Sequence, residues 1–172
     1  MRGTVAAAVV VALAAAAASG KEPTLAELSG EVTVVAFWAT WCPPCRAELP
    51  MVEALRKAVG DDPRVRVVAV SVDEPGDAGA ARALARAVGI GAPLVVDKKL
   101  YAHLFGRGEL AVPRLIVVDR ALGGLERLGA RKGEDPDAFV RDVRAAVTAI
   151  EAGGGAPAAP SAMWRPFHAP AR

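Results

Sequence analysis

Cys42-Pro43-Pro44-Cys45 contains both cysteines of the chain, and two thiols separated by two residues can close and reopen a small disulfide. The motif follows an apolar run at residues 32–38 and precedes a stretch of helical spacing, so Cys42 falls at a helix start. Unpaired N–H groups and the positive end of the helix dipole favour the thiolate there, and the thiolate is the reactive form. Two other uses of the pair remain open beside redox chemistry. Structural zinc takes four Cys or His ligands, and the chain adds only His103 and His168, so no metal is expected. A purely structural disulfide closing so short a loop stabilises little by chain entropy.

The elements that must hold this motif alternate in type. Residues 32–38 read as a β-branched, fully buried strand, and residues 43–59 as a helix with Leu49, Val52, Leu55 and Val59 near one face. A second strand at 65–72 precedes an alanine-rich helix at 78–88 that Gly89 ends, and a short strand at 93–96 precedes a helical turn at 99–105. Residues 115–119 and 124–130 suggest an antiparallel pair across a turn at 119–123. A closing amphipathic helix at 135–151 points Phe139, Val143, Val147 and Ile150 inward. The expected fold class is α/β, a mixed central sheet flanked by helices on both faces.

Three segments are expected. Residues 1–20 read as a signal peptide or N-terminal anchor: Arg2 is followed by an apolar run at 4–18 and by small residues that suit cleavage, and the same run is at the lower limit for a membrane anchor. Residues 21–152 form the domain. Residues 153–172, rich in Gly, Ala and Pro, are expected to be a flexible tail in which Trp164, Phe167 and His168 carry no role. The 21 basic and 19 acidic residues are spread along the chain for a formal charge of +2, which argues against nucleic acid as a partner. An exported chain whose cysteines are confined to one motif suggests a redox catalyst of the cell envelope or periplasm rather than a disulfide-stapled domain.

The segment Phe37-Trp38-Ala39-Thr40-Trp41-Cys42-Pro43-Pro44-Cys45-Arg46-Ala47-Glu48-Leu49-Pro50 resembles the active-site segment of the TlpA/ResA-like (DsbE/CcmG-like) branch of the thioredoxin superfamily. The likeness continues through Val68-Ala69-Val70-Ser71-Val72-Asp73-Glu74, then Val112-Pro113 and the final helix. It implies a thioredoxin-like fold and an exported, monomeric thiol–disulfide oxidoreductase needing no cofactor. The implied partners are disulfide-bearing protein substrates, with apocytochrome c a candidate, and a membrane thiol donor for re-reduction. A net disulfide oxidant or isomerase and a thiol peroxidase are the alternatives.

The same resemblance implies roles for individual residues. Cys42 is the exposed, attacking thiol and Cys45 resolves the mixed disulfide; Trp41 belongs to the partner-facing surface. Pro43 and Pro44 occupy the first helical turn and remove backbone donors, which tunes the potential in a direction left open. Val112 and Pro113 match the family's cis-proline segment, and Arg114 stands where relatives often carry threonine, either near the thiols or in solvent. Ala36 replaces the buried aspartate of thioredoxins proper, which makes Glu74 the expected acceptor of the Cys45 proton. Pro50 either kinks the first helix or ends it.

Overall fold

Residues 30–60, 62–108, 110–153 and 159–170 are described by a computed structural model. The expected export segment, residues 1–20, lies outside the described residues; among those described, no helix is long and apolar enough to cross a membrane. The chain runs β1 (Val32–Trp38), α1 (Pro43–Val59), β2 (Val65–Ser71), a 3₁₀ turn (Pro75–Asp77) and α2 (Ala78–Ala87). It continues through β3 (Leu94–Val96), α3 (Lys98–Phe105), β4 (Arg114–Asp119), β5 (Gly123–Arg127), α4 (Pro136–Glu151) and β6 (Arg165–His168).

All seven residues of β1 are buried, because the strand lies inside the sheet and both faces are covered. The strand order is β3-β2-β1-β4-β5-β6, with β1, β2 and β3 parallel and β4, β5 and β6 added antiparallel. Alternation along β1 sends Val34 and Ala36 into one core with Val52, Leu55, Phe139 and Val143 of α1 and α4. Val35 and Phe37 enter the other, with Ala81, Ala85, Tyr101 and Leu104 of α2 and α3. The mixed sheet with helices on both faces is the architecture that the alternating pattern predicts. Pro50 lies inside α1, which continues to Val59, so it does not end the helix.

The tail differs from expectation. Instead of leaving the domain as a flexible extension, residues 159–170 return to the sheet, and β6 pairs with β5 from Gly123↔His168 to Glu126↔Arg165. Residues 154–158 lie outside the described residues, and low-complexity composition takes no account of the aromatics that follow. Trp164 and Phe167 are 4% and 5% exposed and enter the two cores on opposite faces. Trp164 Nε1 donates to Asp142 Oδ2 at 2.8 Å, and Phe167 meets the Phe105 ring at 5.5 Å between centroids. The pairing covers the edge that β5 would otherwise present, and Pro166 is tolerable because an edge strand has one unpaired side. Phe167→Ala is therefore expected to lower stability by about 3 kcal/mol, read as a shift of the denaturant midpoint at constant m-value; a native midpoint would show that the strand adds nothing to the core.

Candidate active site

The parallel strands β1 and β2 end side by side, and the loop leaving β1 carries the cysteines into α1. That loop is tied down by a residue without an expected role. Asp73, 2% exposed just beyond β2, accepts from Thr40 N at 3.0 Å and Thr40 Oγ1 at 2.7 Å, and Ser71 Oγ donates to it at 2.6 Å. The aspartate thus fixes the backbone two residues before Cys42.

Cys42 is the N-cap of α1 and is disulfide-bonded to Cys45. Pro43 and Pro44 fill the first two helical positions and have no N–H to offer. The Cys45 N–H is therefore the first-turn donor that reaches sulfur, at 3.2 Å from Cys42 Sγ. The exposed position expected for Cys42 is not what the oxidised site shows: Cys42 is 4% exposed and Cys45 1%. Cys42 is covered from the side of the Val112–Pro113 segment, whose peptide bond is cis and whose Val112 carbonyl oxygen lies 3.6 Å from Cys42 Sγ. Trp41 stands beside the pair with 55% of its surface exposed, a large apolar side chain left to solvent at the mouth of the site.

A second clamp holds the cis-proline segment. Tyr101 Oη accepts from Ala111 N at 3.0 Å and donates to Ala111 O at 3.1 Å, one residue before Val112. Arg114 is neither at the thiols nor free in solvent. Its guanidinium lies 4.1 Å over the Phe105 ring and donates to Tyr101 Oη at 3.3 Å, so its charge faces the aromatic cluster between β4 and α3.

Glu74, the expected proton acceptor, lies at the surface, and Glu48, a residue of the motif segment with no expected role, is buried. Glu74 is 62% exposed at its side chain, pairs with Lys98, and lines a groove of about 1080 Å³ with Lys99, His103 and Arg107. Neither sulfur is among its hydrogen-bond or ion-pair partners. Glu48 is 4% exposed and lies one turn beyond Cys45 on α1. Its Oε2 accepts from the Ala130 N–H. The adjoining residue must be glycine: at Gly129 (φ +36°) a Cβ would stand closer than 3.0 Å to both the Pro113 ring and the Glu48 carboxylate. The carboxyl and the cis-proline thus both close on the Gly129–Ala130 segment. Burial raises the Glu48 pKa to about 7; the Ala130 hydrogen bond and the Arg127 charge oppose the rise, and Glu134 adds to it.

Over residues 6–122 the sequence matches the AhpC/TSA family. The chain belongs to that family. It is similar to the thioredoxin-like protein YneN of Bacillus subtilis, 37% identical over 82 residues that form 47% of each chain. It is also similar to the thiol-disulfide oxidoreductase ResA of Halalkalibacterium halodurans, 36% identical over 81 residues, 47% of this chain and 44% of that one. The chain thus spans about half the length of the curated relatives it matches. Among solved structures it is similar to a candidate thiol:disulfide interchange protein DsbE from Chlorobium tepidum, with 26% identity and a TM-score of 0.55 over 72% of this chain and 84% of that one.

In this AhpC/TSA chain the structure brings together Cys42, Cys45, Trp41, Pro43, Pro44, Val112 and Pro113 from the residues named by sequence. It adds Asp73, Tyr101, Glu48 and Gly129. Among the described residues no group of three or more His, Cys, Asp or Glu could hold a metal ion. The Glu48 environment sets a measurable pH dependence. A carboxyl whose folded pKa stands above its unfolded value favours the fold fully below the unfolded value, near 4.5, and loses that contribution as pH rises through about 7. Relative to Glu48→Gln, the native protein is expected to lose about 3 kcal/mol of stability between pH 4.5 and 8. Parallel stability curves for the two proteins would show that Glu48 titrates normally.

Proposed function

We propose that this protein is a thiol–disulfide oxidoreductase that reduces protein disulfides in the cell envelope through Cys42 and Cys45. The observation that carries this reading is the dithiol pair closed at a helix start, with a backbone carbonyl over Cys42 and a buried, near-neutral-pKa carboxyl one turn beyond Cys45. In the reduced protein the Cys42 thiolate attacks a substrate disulfide, forming one S–S bond to Cys42 and releasing the substrate's other sulfur as a thiolate. Cys45 then gives its proton to the Glu48 carboxylate and its sulfur attacks Cys42 Sγ. The mixed disulfide breaks, the second substrate sulfur leaves as a thiolate, and two electrons have passed from the Cys42–Cys45 pair to the substrate. A group with a pKa near 7 can take that proton and return it to solvent at neutral pH.

The Val112 carbonyl and the Trp41 surface flank the attacking sulfur and form the contact face for a substrate chain. Disulfide-bearing proteins are the substrates, the haem-attachment cysteines of apocytochrome c a candidate among them, and a membrane dithiol donor returns the two electrons. The apolar run at 4–18, an export signal or an anchor, supports the envelope location. The protein is taken to act as a monomer.

The equilibrium reduction potential, followed by tryptophan fluorescence in dithiol buffers, tests the direction. A value at or below roughly −250 mV is expected, and one near about −120 mV would make the protein an oxidant. Cys45→Ser is expected to accumulate mixed disulfides through Cys42 in envelope extracts, and recovery of none would count against disulfide exchange. Two substitutions separate the candidate proton acceptors. Glu48→Gln is expected to slow resolution of the mixed disulfide by about 10²-fold at pH 7; slowing by Glu74→Gln instead would return the role to Glu74.

A further inference from the structure

The C-terminal strand and the redox site meet at one buried cation. Arg127, the last residue of β5, is 1% exposed. Its Nε and Nη2 donate to the Gly129 carbonyl at 3.0 and 2.9 Å, so the guanidinium fork grips the peptide that follows the strand. That peptide's far side carries the Ala130 N–H on Glu48, and Gly129 itself is packed against Pro113. The other guanidinium contacts run outward: Nη2 to Glu134 Oε2 at 2.8 Å and Nη1 to Asp142 Oδ2 at 2.7 Å. Asp142 also receives Trp164 Nε1 at 2.8 Å, and the Arg127 guanidinium lies 5.1 Å from the Phe139 ring centroid and 5.8 Å from that of Trp164.

We propose that Arg127 is a positioning residue of the redox site, holding the Gly129–Ala130 peptide on the Glu48 carboxyl, and that Asp142 and Trp164 make the C-terminal segment part of that support. Structural need alone does not account for the arrangement. Burying a charge and two counter-charges is commonly no more stabilising than packing apolar residues in the same volume. What the ion cluster adds is a fixed field beside a carboxyl that must change its protonation state. The charged groups that act on Glu48 are Arg127 from β5 and Glu134 from the loop after it; Asp142 of α4 acts on it only through Arg127, and Cys45 lies one turn before it on the same helix. Removing the cation and removing one of its counter-charges therefore act on Glu48 in opposite directions.

The proposal rests on Glu48 as the proton acceptor only for its catalytic consequence, and the test keeps the two apart. The Glu48 carboxyl carbon is titrated by NMR in protein labelled at glutamate, with its signal assigned by its loss in Glu48→Gln. Asp142→Asn keeps the size of the side chain and leaves Arg127 less neutralised, so the Glu48 midpoint is expected to fall by about one pH unit. Arg127→Met is expected to raise it by a similar amount, and the folded state of each variant is checked by its denaturation curve. Should Arg127→Met not fold, the downward shift in Asp142→Asn decides alone. A midpoint unchanged in folded Asp142→Asn overturns the proposal. Where the NMR midpoint moves, the pH profile of mixed-disulfide resolution is expected to move with it; a profile that stays fixed overturns the assignment of Glu48 as proton acceptor while leaving Arg127 in its positioning role.

Discussion

A carboxyl group, that of Glu48, is withdrawn from water one turn beyond Cys45, and the packing around it follows from the need to accommodate it. Moving an ionised carboxylate into an apolar interior is costly enough that the group keeps its proton unless donors and positive charge meet it. Glu48 accepts one backbone hydrogen bond, from the Ala130 N–H, and feels the charge of a guanidinium that other carboxylates already engage. That peptide can approach because Gly129 has no side chain to strike Pro113 or the carboxyl. The cis-proline, the loop after β5 and the second turn of α1 are consequently one packed unit, and changing any of them disturbs the others.

The two prolines of the motif restrain the opposite end of the site. Helix starts usually present several free N–H groups to an anion. In α1, positions one and two have none, so the cap sulfur receives the Cys45 N–H while Arg46 N returns to the Cys42 carbonyl. Stabilisation of a Cys42 thiolate thus relies on one backbone donor and the helix dipole. The proline ring also fixes φ in that turn, so the donor geometry is pre-organised rather than adjusted during exchange. Tyr101 and Asp73 do the same for the two loops that flank the sulfur, each from a buried side chain bonded to a loop backbone.

Local chemistry was legible in the sequence, and features that depend on distant backbone were not. The apolar run ending in Trp38, the prolines after Cys42 and the spacing of Leu49, Val52 and Leu55 each reflect a short-range rule, and the corresponding strand, helix start and helix face are where those rules place them. Glu48 reads as one more charged residue on a helix between Arg46 and Pro50; the backbone donor that meets it, Ala130, is 82 residues on. Glu74 reads as the nearer carboxylate because it follows β2, yet the residue before it turns inward to Thr40 and leaves Glu74 to Lys98. The tail fails for a related reason. Composition averages over Gly, Ala and Pro, whereas docking depends on two aromatics three residues apart and on an open edge of β5.

The charge count around Arg127 explains why a buried arginine near Glu48 does not restore an ordinary carboxylate. Arg127 carries one positive charge, and Glu134 and Asp142 lie within 2.7 to 2.8 Å of it with a negative charge each. The cluster already holds an excess of negative charge before Glu48 ionises, so the guanidinium's pull on Glu48 is offset in part by Glu134 and desolvation prevails. Had Arg127 no other partners, its charge would lower the Glu48 pKa more strongly. Had it been absent, the Glu48 pKa would rise further. Arg127 on β5 and Glu134 on the loop thus act on Glu48 in opposite directions, and burial outweighs the cation's pull.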